Sequence, residues 1–214
     1  MVDAFFFDVF LAIVWLFFFL RRRETRQEMV IIGIVALLFS PLFLFLGRQE
    51  TAGTVAISDL AFSFFLAGIA AVIFEAVFGQ HYRIGHHARL SLKNSTERWF
   101  LRLMLMAIVW AWLSIILLLV MGTDALQSLG VAGLVIGSYM IASRHDLLWN
   151  ALWSGLLMAI VFFFVYLLAF IASLPTTTQF FLTSIPADAV TWAITLGLVF
   201  GPMYEFVRGF RLRH

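Results

Sequence analysis

The sequence predicts an all-α integral membrane protein of seven transmembrane helices, built as two parallel three-helix repeats joined by one extra helix. Three observations carry this prediction: the composition, the spacing of long apolar runs, and the side on which the cations fall. Of 214 residues, 63% are hydrophobic and 12% charged, and 25 are Phe. Soluble domains carry about 25% charged residues, and so few charges cannot cover so many large apolar side chains in water. A soluble enzyme and a disordered chain are excluded on that ground. The absence of cysteine excludes a disulfide scaffold.

A bilayer core needs about 20 apolar residues per helix. The first run covers residues 4–20, acidic before it and basic after it, the reverse of the charge order of a cleaved signal peptide. A polar turn at 21–28 leads to the second run, 29–47, which contains Pro41. The third covers 55–79 and the fourth 99–122, the latter after Asn94 and Glu97 in a helix-capping pattern. The fifth, 126–143, is diluted by Gly130, Gly133 and Gly137; a short turn at 144–146 precedes the sixth, 147–174. The seventh covers 190–207, and Pro202 within it should kink the helix.

The cations give an independent check. Twelve of the fourteen fall on one side of this scheme, with Arg48 alone on the other and Arg102 inside a span. Cytoplasmic loops hold the positive charge. The N-terminus is therefore expected outside and the C-terminus inside, in a prokaryotic cytoplasmic membrane.

Spans three and seven resemble each other. Asp59 precedes Gly68 by nine residues, as Asp188 precedes Gly197; Glu75 precedes Gly79 by four, as Glu205 precedes Gly209. Two copies of three helices point the same way only if an odd helix lies between them, the 3+1+3 plan of some transporters. Residues 1–79 then form the first repeat, 80–125 a cytoplasmic loop with the joining helix, and 126–214 the second repeat with a basic tail.

Ionisable groups inside spans are costly, and they are functional candidates by default. Asp59 and Glu75 lie sixteen residues apart, about 24 Å along a helix, so they cannot share one small site. The natural pairings run across the repeat, Asp59 with Asp188 at one end and Glu75 with Glu205 at the other. The competing expectation is local: both aspartates cap helix starts, and Glu205 pairs with Arg208. The pairs Gly133–Gly137 and Gly197–Gly201 are read as points of close helix approach. Trp15, Trp110, Trp112 and Trp153 lie deep in their spans and are candidates for a cavity lining.

No cofactor is expected. There is no glycine-rich nucleotide loop, His81, His86 and His87 lie in a loop without a metal-binding spacing, and no basic stripe points to nucleic acid. The expected partners are the bilayer and a hydrophobic polyene or lipid ligand.

The stretch from Ile185 through Pro186, Asp188 and Trp192 to Gly201, Pro202, Tyr204, Glu205 and Gly209 resembles the last segment of lycopene cyclase-domain membrane proteins. That family has three-helix units with a Pro-x-Glu-Glu at the head of the third helix, sometimes fused through an extra helix. Pro186 and Asp188 take the places of its Pro and first acid, and Asp59 takes the acid position of the first copy. Ala189 and Leu60 stand where the second acids belong, and Ile57 where the first copy has Pro. The resemblance implies ring closure of a polyene end group without net redox, an acid protonating a terminal double bond and a base removing a proton. Asp188 is then the expected acid and Asp59 the second carboxyl, with Glu75 and Glu205 as further catalytic candidates. Trp192, Phe62, Phe65 and Tyr204 would contact the substrate, their faces stabilising a cation.

The sequence leaves two other readings open. A non-catalytic carotenoid- or lipid-binding or structural protein fits the lost acids. A sugar carrier of the PQ-loop type shares the 3+1+3 plan but calls for Pro in spans one and five and a Pro-Gln pair, which this sequence lacks. A retinal protein is excluded, because the only lysine is Lys93, outside the spans.

Overall fold

A computed structural model describes residues 2–47, 57–79, 82–84, 95–173, 187–208 and 210–212. Seven helices account for nearly all of them: α1 (Val2–Arg21), α2 (Arg26–Gly47), α3 (Ile57–Phe78), α4 (Ser95–Met121), α5 (Ala125–Ser143), α6 (Leu148–Ser173) and α7 (Ala187–Arg208). Among the described residues five of these, α3 to α7, are long and apolar enough to cross a membrane. The architecture is that of an all-α membrane protein.

Most helix bounds fall within three residues of the apolar runs, because both are set by local sequence. Two starts differ usefully. α4 begins at Ser95, ahead of its apolar run; a helix continues into the charged interface where hydropathy stops. α2 begins at Arg26, so Glu28 belongs to its first turn and not to the preceding polar turn. The side chains around that turn explain the early start. Arg26 Nε donates to the Phe19 carbonyl at 2.6 Å and Thr25 Oγ1 to the Arg22 carbonyl at 3.3 Å. Both satisfy acceptors at the end of α1 and leave the chain positioned to restart at once. The proposed cap at Asn94 and the histidines at 81, 86 and 87 lie outside the described residues.

α3 and α7 form the centre. Each packs against several neighbours: α3 against α1, α2, α6 and α7, and α7 also against α4 and α5. Their apolar stretches are 56% and 67% buried, against 33–39% for those of α4, α5 and α6. The outer helices turn large apolar side chains outward, Trp112 at 63% and Leu119 at 68% exposure among them. Such a surface is stable only against lipid or another apolar partner.

Glycine makes the central packing possible. A Cβ on Gly197 would overlap the Ser154 carbonyl and Gly155 of α6; one on Gly68 would press on the Trp15 indole and the Met29 carbonyl. Gly133 and Gly137 of α5 likewise sit against Thr195 and Leu198 of α7. These are the close approaches expected of small residues in apolar bundles.

Two three-residue strands, β1 (Tyr82–Ile84) and β2 (Phe210–Leu212), were not expected from the sequence. They pair antiparallel, Arg83 opposite Arg211. Strands this short carry no readable period, and each closes only on a partner far away in sequence. β1 follows α3 by a few residues and β2 follows α7 likewise, so the C-terminal ends of α3 and α7 lie together. At their other ends Asp59 and Ala189 border one cavity. The two central helices therefore run parallel.

Candidate functional site

Two features stand out in this apolar bundle, one toward each end of α3 and α7. The first is a cavity of about 710 Å³, within the ~300–1,000 Å³ usual for small-molecule pockets. On α3 it is lined by Asp59, Phe62, Ser63, Leu66 and Ala67, an i, i+3, i+4, i+7, i+8 stripe that presents one face. On α7 the stripe is Ala189, Trp192, Leu196, Phe200 and Met203. Phe39, Trp110, Phe162 and Tyr166 bring further aromatic walls from α2, α4 and α6. Polar groups are few: Ser63 Oγ hydrogen-bonds Ser40 Oγ at 3.1 Å, and Asp59 and Asp124 border the space. Trp110 is fixed by its indole N–H, which donates to the Leu129 carbonyl at 3.1 Å.

The structure distributes the sequence-predicted residues unevenly. Asp59, Phe62 and Trp192 share the cavity. Phe65 does not line it: one step round α3, its ring faces Trp15 and Phe64 with centroids 5.9 and 5.6 Å away. Tyr204 is also turned elsewhere, edge-on to Trp99 at 6.0 Å and under the Arg208 guanidinium at 4.8 Å. The side chain of Asp188 and the whole of Pro186 lie outside the described residues. Of the four deep tryptophans, Trp110 alone lines the cavity; Trp112 is largely outward-facing, Trp153 packs its ring against Phe78 with centroids 5.1 Å apart, and Trp15 packs beside Gly68.

The second feature is a buried carboxylate cluster. Glu28 of α2, Glu75 of α3 and Glu205 of α7 each offer an oxygen within 4.8 Å of the others. All three are buried, at 5%, 6% and 1% exposure. Glu75 and Glu205 meet across the two halves of the chain, and neither lines the cavity. Glu28 is the member that the sequence places in a turn; the early start of α2 carries it into the first helical turn.

A polar relay from α6 supports the cluster. Asn150 Nδ2 donates to Glu205 Oε1 at 2.9 Å, while Ser154 Oγ donates to Asn150 Oδ1 at 2.9 Å. Arg144, held to Asp146 at 2.6 Å, donates to the Glu205 carbonyl at 2.9 Å. Neither Asn150 nor Arg144 belonged to the sequence-predicted site. Arg208 lies over the Trp99 ring at 4.6 Å and within electrostatic reach of Glu28.

In comparisons with known proteins, no family model, no curated protein and no solved structure matches this chain.

Proposed function

We propose that this chain is a lycopene cyclase-like membrane protein that takes the end of a polyene, or a comparable lipid tail, into the cavity between α3 and α7. The observation that carries this reading is the cavity lining itself: aromatic and aliphatic walls with a single α3 carboxyl, Asp59, among them. A polyene offers nothing to hydrogen-bond, so an apolar wall suits it. An acid in such surroundings is placed to protonate a double bond, and the faces of Trp192, Trp110 and Phe62 are placed to stabilise the resulting cation. Asp188 would be the acid and Asp59 the second carboxyl, a proton is given to one carbon and removed from another, and no net redox change is involved. Glu75 and Glu205 take no part in this scheme.

The same reading holds that all seven helices span a prokaryotic membrane as a 3+1+3 repeat, N-terminus outside. It is supported by the parallel α3 and α7, and by the matching order of contacts. α3 packs most on α2 and then α1, as α7 packs most on α6 and then α5.

One observation favours a second reading, binding without turnover. Ala189, at the family's second acid position, lies on the cavity wall, and its methyl can donate no proton. Pigment analysis of lycopene-accumulating cells expressing the chain separates the two. Cyclised product that is lost in Asp59→Asn and Asp188→Asn supports the enzyme. Uncyclised polyene or lipid co-purifying with the wild type supports the binder, and neither outcome rejects both.

A further inference from the structure

We infer that Glu28, Glu75 and Glu205 form a site for a hard divalent cation, such as Mg²⁺, Mn²⁺ or Ca²⁺, which ties the first turn of α2 to the last turns of α3 and α7.

Geometry comes first. Metal–oxygen distances for such ions are about 2.0–2.6 Å, so ligand oxygens on one ion stand no more than roughly 4–5 Å apart. The three carboxylates meet that limit at 4.8 Å. They come from three different helices, and all-oxygen donors favour hard ions over zinc or copper.

The second observation is independent of the clustering. Glu28 Oε1 and Glu205 Oε2 are buried and have no hydrogen-bond partner. Buried polar atoms are nearly always satisfied, and leaving a charged one unmet is costly. The oxygens that the three residues offer are close enough to share one ion.

Charge supports the same conclusion. One dication and the Arg208 guanidinium together balance three carboxylates. Glu75 and Glu205 lie in the last turns of α3 and α7, where the helix dipole opposes an anion and favours a cation. Asn150 supplies the orientation. By holding Glu205 Oε1 it leaves Oε2 as the free ligand atom, the usual role of a partner behind a metal ligand. The cluster lies at the helix ends and not in mid-span, so an ion need not cross the apolar core to reach it.

The test uses the full chain purified in detergent and stripped with chelator, with Mn²⁺ as the probe. Loss of the aqueous Mn²⁺ resonance should report one saturable ion per chain, and Mn²⁺ should raise the unfolding temperature where Na⁺ at equal ionic strength does not. Glu75→Gln and Glu205→Gln should weaken binding at least tenfold, Asn150→Ala by about 10–100-fold, and Asp59→Asn not at all. Wild type without saturable binding, or binding equal in the Gln variants, overturns the proposal. If those variants fail to fold, the wild type decides alone: a Mn²⁺-dependent rise in unfolding temperature supports the site, and no rise rejects it.

Discussion

Asn150 on α6 donates its side-chain N–H to Glu205 on α7 at 2.9 Å, with both residues buried. This bond sits where α6 and α7 pack closely, one turn from the contact between Ser154 and Gly201. It orients one member of the carboxylate cluster and also locks α6 to α7. Removing it should therefore register in stability.

Asn150→Ala should destabilise the protein by about 1–3 kcal/mol, since it strands Glu205 Oε1 and the Ser154 hydroxyl without buried partners. Thermal unfolding in detergent checks this. A loss below ~0.5 kcal/mol would mean that water reaches the cluster.

Glycines on α5 and α7 should respond in opposite directions. Gly197→Ala drives a methyl into the Ser154 carbonyl and the Gly155 backbone, which cannot yield as a side chain can. A cost of about 1–3 kcal/mol is expected. At Gly130 a Cβ would meet nothing within 4 Å, so Gly130→Ala should be neutral or stabilising by up to ~1 kcal/mol. Unfolding of the two variants side by side is the measurement.

Pairing of the two short strands gives a cross-link prediction. The chain contains no cysteine, so Arg83→Cys with Arg211→Cys creates a clean pair on facing positions. Facing Cα atoms in an antiparallel pair are about 4.5–5.5 Å apart, within disulfide range. Oxidation should give a faster-migrating, reducible species on a denaturing gel. If none forms, the ends of α3 and α7 do not lie together.

Filling the cavity should displace its occupant. Ala189→Trp and Ala67→Phe place rings into the lined space, and extracted polyene or lipid per mole of protein should fall several-fold in both. Unchanged content would move the ligand elsewhere.

For orientation, a reporter fused after His214 should be active only when it requires the cytoplasm. Activity on the outer side would reverse the assignment drawn from the cations.

Much of this protein is determined locally. Hydropathy over some twenty residues and backbone bonds that close within one turn set the helices, and the sequence marks those runs unaided. The recurrence of Glu75 and Glu205 at matching distances before a glycine was legible for the same reason, since one repeat can be laid on the other. Placing these two carboxyls together required only that α3 and α7 be parallel neighbours.

Other features depended on which faces meet, a choice summed over contacts between residues far apart in the chain. Phe62 and Phe65 sit three positions apart with the same chemistry, yet the packing of α1 against α3 draws Phe65 to Trp15 and leaves Phe62 on the cavity. Glu28 reads as a turn residue until Arg26 and Thr25 restart the helix and carry it between α3 and α7. Asn150 is one polar residue in an apolar run until Gly197 and Gly201 let α6 come close enough for it to reach Glu205. Hydropathy is a property of each segment by itself, whereas a buried polar contact exists only where two segments have already excluded water from between them.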